Sequence, residues 1–97
     1  MRNLNAIRDI VRDTLADDFD HIRIVDVRVS EDVDSDGDDV LRIDIIFEGD
    51  PEDLDAVKLS GAIRHLRPRL SELDEFAFPI LSFISKQDAQ PRKRAPA

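Results

Sequence analysis

From Leu41 to Phe47 every second residue is apolar, with Leu41, Ile43, Ile45 and Phe47 in one phase and Arg42 and Asp44 in the other. A period of two sends alternate side chains to opposite faces of a pleated strand, so residues 40–48 read as a strand with one face against a core. The stretch before it, residues 22–30, is dominated by β-branched side chains, which suit extended backbone. Its apolar phase slips between Ile24 and Val25 and resumes through Val27 and Val29, which predicts a β-bulge. Between the two runs lies Asp36-Gly37, a pair that tolerates positive φ, and a hairpin follows.

Outside the hairpin the period lengthens. Leu4, Ile7, Ile10, Val11 and Leu15 recur at spacings of three and four, predicting a helix from Leu4 to about Asp17. After the hairpin, Pro51 with Glu52, Asp53 and Asp55 signals a helix start, because proline suits the first turn and carboxylates complement the positive dipole end. Leu59, Ile63, Leu66, Leu70 and Leu73 then carry an apolar stripe, interrupted by Gly61 and Pro68, so a kinked or broken helix is expected over residues 53–73. A last apolar run, residues 76–84, predicts a third strand, with Pro79 placing it at a sheet edge or starting it late. The expected fold class is α+β, ordered α-β-β-α-(kink)-α-β, with helices on one face of a three-stranded sheet. Residues 1–86 form that single domain, and residues 87–97, QDAQPRKRAPA, read as a disordered basic tail.

At 97 residues such a chain buries about 65 % of its unfolded surface, enough for one core without staples. Cysteine is absent, which removes disulfides, thiolate zinc sites and thiol nucleophiles together and fits an intracellular, cytoplasmic setting. No apolar run approaches the ~20 residues of a membrane span, and the opening MRNLNAIRDI lacks a signal peptide's apolar region, so no membrane partner is expected.

Charge is unevenly placed. Against 14 Lys and Arg stand 22 Asp and Glu, a net of −8 that argues against nucleic-acid affinity through bulk charge. Residues 31–55 hold twelve acidic residues and one basic residue, Arg42. Residues 58–71 reverse the sign with Lys58, Arg64, Arg67 and Arg69 and contain no carboxylate. The spacing of Asp32, Asp34, Asp36 and Gly37 is that of an EF-hand's opening, but the loop's closing bidentate Glu is replaced by Ile43 and strands flank it where helices belong, so a hairpin turn is expected rather than a metal site. His21 and His65 lack a ligand-spaced partner, and no nucleophile elbow, phosphate loop or dinucleotide glycine pattern is present. The residues thus point to no catalytic centre, no metal and no cofactor.

Around Gly61 the chain resembles the ribosome-binding factor A family, whose type II KH-like fold carries an A-x-G kink in its long helix. Leu59-Ser60-Gly61 stands at that kink, and Ala62-Ile63-Arg64 after it is similar to the family's G-F-I-R run. The likeness runs over residues 6–88 through IRDIVRDTL, VDVRVSED and PILSFISKQD, departing at Leu59 and Pro68. It implies an RNA- or ribosome-associated module. A second likeness, carried by VDSDGDDVLRI and LSGAIRHLRPRL, is to small acidic bacterial proteins that accompany helical HEPN-type proteins, and implies an antitoxin-like or accessory role.

Two surfaces are therefore expected to act. The acidic hairpin, with Asp32, Asp34, Asp36, Asp38 and Asp39, is suited to a basic protein partner, with Val40, Ile46, Pro79 and Leu81 as apolar anchors. The kinked helix, with Gly61, Arg64, Arg67 and Arg69, offers an alternative edge for an anion or RNA. A homo-oligomer is left open.

Overall fold

The computed structural model describes residues 3–19, 22–50, 52, 54 and 56–89. Helix α1, Leu4–Asp18, starts at Asn3, whose Oδ1 accepts the Ala6 amide at 3.0 Å and so satisfies one of the free amides of the first turn. Its apolar stripe buries Ile7, Val11 and Leu15, while Leu4 stays exposed at the helix end.

Strand β1, Arg23–Val33, pairs antiparallel with β2, Asp39–Glu48, and the register shifts between Ile24 and Asp26, so the bulge forms at Val25 as the sequence phase predicts. The hairpin closes where expected: Asp34 donates its amide to the Asp38 carbonyl at 2.9 Å, and Gly37 takes a φ of +84°, a conformation that favours a residue without a side chain. β3, Phe78–Ser85, pairs parallel with β2, giving the order β1-β2-β3. Its edge place agrees with Pro79, and it begins two residues later than the apolar run.

Leu41, Ile43, Ile45 and Phe47 face α1 and the helix α2, Ala56–Ser71, in one core cluster that also holds Phe19, Ile22, Val27, Ala62, Leu66 and Leu70. Phe83 joins its rim, with ring centroids 5.3 Å from Phe19 and 6.3 Å from Phe47. The protein is thus an α+β fold, a three-stranded sheet flanked by helices.

Three expectations are revised, and of the kinked or broken helix the broken alternative is excluded: α2 runs as one helix through Gly61 and Pro68. A helical glycine costs about 1 kcal/mol relative to alanine, which burial of Ala62, Leu66 and Leu70 outweighs, and Pro68 falls in the last turn, where the lost bond leaves an exposed carbonyl. Val40 and Ile46 lie in the outward phase of β2 yet are each only 3 % exposed, so neither is an available anchor. Strands flank both: Val40 sits between Asp32 and Phe78, and Ile46 between Asp26 and Ile84. Pro79 is buried as well. Beyond β3, Lys86–Ala89 forms a short helix, α3, inside the stretch read as tail; the remainder of that stretch, with Arg92, Lys93 and Arg94, lies outside the described residues, as do His21, Pro51, Asp53 and Asp55.

Candidate interaction surfaces

The hairpin turn is organised by one carboxylate. Asp34 Oδ1 accepts the amides of Asp36 and Asp38, both at 2.9 Å, which folds the loop back on itself. Asp34, Asp36 and Asp38 are all exposed, and their carboxylate oxygens come within 4.8 Å of one another. The twelfth position of an EF-hand loop, which would bring the closing carboxylate, is Ile43, buried in the core. The turn therefore holds a dense negative charge in solvent.

Behind the turn, Asp32 and Asp39 stand at the strand ends. Asp32 accepts a hydrogen bond from Arg42 Nε diagonally across the outer face, and its carboxyl also accepts the Val33 amide at 2.8 Å. The Arg42 hydrogen bond, with that of Val33, holds the Asp32 carboxyl below its ordinary range, and the same pair holds the guanidinium proton more tightly than usual. Arg42, the basic residue of the acidic stretch, is therefore engaged with Asp32. At the other end of β2, Lys86 Nζ donates to Glu48 Oε1 at 2.8 Å and lowers the Glu48 carboxyl in the same way.

A cleft of about 900 Å³ opens beside the hairpin, between the start of α1, the ends of β1 and β2, and the loop after α2. Glu31, Asp32 and Asp39 contribute from the strands, Asp74 and Glu75 from the loop, and Ile7, Val33 and Leu73 supply apolar lining. The position of Asp74 follows from how α2 ends. Asp74 adopts a φ of 56°, its amide bonds the Ser71 carbonyl at 3.0 Å, and the Glu75 amide bonds the Leu70 carbonyl at 3.1 Å. These two bonds are a Schellman closure with an aspartate in the left-handed position, and they turn the chain sharply toward the hairpin. Glu75 is largely buried and its Oε2 accepts the Ala77 amide at 3.2 Å, which stiffens the loop. Asp74 and Glu75 were not among the expected site residues. A glycine past a helix end flags this closure in sequence; an aspartate there does not.

The basic helix divides into two sides. Arg69 Nη1 donates to Thr14 Oγ1 at 3.0 Å and its other terminal nitrogen lies 4.0 Å from Asp17, while His65 Nδ1 donates to Asp18 at 3.0 Å. Both therefore tie α2 to α1. Thr14, itself buried, donates its hydroxyl hydrogen bond to the Ile10 carbonyl at 2.7 Å. Arg64 and Arg67 lie on the other side, along a second groove with Ile63, Pro68, Phe76 and Ala77. Arg67 stacks its guanidinium 5.5 Å from the centroid of Phe78. Gly61 takes an ordinary helical conformation, and a Cβ built there meets nothing within 4 Å, so no close approach calls for a glycine. The structure thus keeps Arg64 with Arg67 and separates them from Arg69.

No protein-family model, curated protein or solved structure matches this chain.

Proposed function

We propose that this protein is a non-catalytic acidic module that docks a basic protein surface through the hairpin end of its sheet. The observation that carries the reading is the convergence of Glu31, Asp32 and Asp39 with the loop carboxylates Asp74 and Glu75 around a cleft lined by Val33 and Leu73, next to the hairpin turn that clusters Asp34, Asp36 and Asp38. Apolar lining with a charged rim is the pattern of a protein-docking site, where rim charge steers encounter and buried apolar contacts slow dissociation. The likeness to acidic companions of HEPN-type proteins names a helical, basic partner in an antitoxin-like pair, in the cytoplasm. Among the described residues no helix is long and apolar enough to cross a membrane.

The RNA- or ribosome-associated reading, which goes with the KH-like resemblance, rests among the described residues on Arg64 and Arg67. Arg69 is committed to α1, and the acidic hairpin repels phosphate within the same small body.

The test is affinity purification of the partner, then surface plasmon resonance at two salt concentrations. Replacing Asp34, Asp36, Asp38 and Asp39 together with Asn and Ser should slow association by about ten-fold or more at low salt and leave the fold intact. An unchanged association rate, or recovery of ribosomal subunits through a salt-dependent complex that Arg64→Glu with Arg67→Glu abolishes, overturns the reading.

A further inference from the structure

A sheet edge presents a row of unpaired amides and carbonyls, and proteins that stay monomeric guard such rows with charges, bulges, or covering elements. β1 is guarded. Arg23, Asp26, Arg28, Glu31 and Asp32 lie along it, and the bulge at Val25 breaks its outline. β3 carries neither charge nor bulge, and of such devices has only Pro79 near its start. Its sequence, FPILSFIS, is uncharged over eight residues, its register with β2 runs without a shift from Phe78 to Ser85, and Ile80 to Ser85 all remain half-buried. Among the described residues no strand pairs with its outer side. At the entrance to the strand Phe76 and Phe78 are also exposed.

We propose that β3 is a homodimer edge: two copies of this chain pair their β3 strands antiparallel about a two-fold axis near Leu81, making one six-stranded sheet. An isologous contact sets each strand against itself, and antiparallel pairing places residues of the same phase opposite one another. Centred on Leu81, it sets Phe78 against Ile84 and Ile80 against Ser82 on the outer face, and Pro79 against Phe83 on the core face. No charge meets its own copy. The exposed ring of Phe78 gains an aliphatic neighbour.

Charge distribution favours this seam over a self-contact elsewhere on the surface. With a net of −8 per chain, self-association is disfavoured wherever the acidic stretches meet. In the proposed sheet the two β1 strands are the outermost, about 24 Å apart at five strand spacings of ~4.8 Å. That is about three Debye lengths at physiological salt. Since Val40, beside the hairpin turn, pairs with Phe78, the turn lies at the start of β3, and an antiparallel dimer sends the two turns to opposite ends of the sheet. This inference stands apart from the acidic docking reading, since that surface stays outside the β3 seam.

The experiment is sedimentation velocity on the full chain from about 1 to 100 µM, with Ser82→Lys as the breaking variant and Val25→Lys on the guarded edge as its counterpart. The wild type is expected at twice 11.0 kDa at the upper concentrations. Ser82→Lys sets a lysine on the outer face of each strand at the seam, and should raise the dissociation constant by about 100-fold or more, whereas Val25→Lys leaves it unchanged. Hydrogen exchange on the wild type reads the same edge without mutation: amides within residues 80–84 should slow as concentration rises, while those within 25–31 do not. A monomer at 100 µM, a dimer that survives Ser82→Lys with the fold intact, or protection gained elsewhere than on β3 overturns the proposal.

Discussion

β1 and β3 flank the same central strand, yet five of the eleven residues of β1 are charged and none of the eight in β3 is. The two reach β2 by different routes. β1 is joined to it by a turn of a few residues, so its register is held by turn geometry and by a ladder of antiparallel bonds, and a few inward side chains such as Ile24, Val27 and Val29 suffice for the core. β3 arrives through a helical crossover and pairs parallel. Its position depends on what Pro79, Leu81 and Phe83 bury. A strand placed by its turn is free to spend its outer residues on charge, while a strand placed by packing keeps apolar side chains to its very edge. The same property that seats β3 leaves its edge uncharged.

The sharpest way to break this comparison is to truncate one apolar side chain on each edge, a core-facing one on β3 and the exposed bulge residue on β1. Phe83→Ala takes away the ring that contacts Phe19 and Phe47, and should cost about 2–3 kcal/mol in urea unfolding, below the value for a fully buried ring because Phe83 keeps partial exposure. Val25→Ala, at the bulge, should stay within about 0.5 kcal/mol. Equal losses at the two sites would mean that β3 is not held by packing.

A smaller effect tests the crossover that delivers β3. Gly61→Ala, in the interior of α2 with open space around the added methyl, should stabilise the protein by about 0.5–1 kcal/mol. A destabilised variant would show that the helix needs the glycine, as the resemblance to a kinked KH-like helix implies.

The smallest effect concerns the guarded edge and is read through pH. The folded-state pKa of Asp32 lies below its ordinary 3.8, chiefly because of the Arg42 hydrogen bond. Stability from this pair is therefore fully present above about pH 4 and disappears as pH falls through the lowered folded value. Wild type and Arg42→Gln should differ slightly in thermal midpoint at pH 6 and low salt, then converge toward pH 2, with added salt shrinking the difference. Carboxyl-detected NMR should place the Asp32 midpoint higher in Arg42→Gln than in wild type.

Several features were legible one segment at a time. The alternation of Leu41 to Phe47, the phase slip at Val25, the Asp36-Gly37 turn and the edge mark of Pro79 each depend on a few adjacent residues, and backbone geometry answers to residues at that range. The stripe of α1 was readable for the same reason, since Ile7, Val11 and Leu15 share one side of a helix whatever it packs against. The continuity of α2 was not readable, because the cost of Gly61 and Pro68 is local while the burial that overrides it belongs to the sheet beneath. Nor could alternation along β2 reveal that Val40 and Ile46 are covered, since their neighbours Phe78 and Ile84 arrive from more than thirty residues away in the chain. The acidic cleft is the same case: Asp74 and Glu75 join Asp39 only because a left-handed aspartate ends α2 and swings the loop back to the hairpin. By itself the sequence determined the elements, the turn and the sign of the charge, which short-range sterics and hydrophobic period control. Only the tertiary structure decided which charges share a surface, which arginines are committed to α1 and which edge stays open, because those depend on where distant segments come to rest against one core.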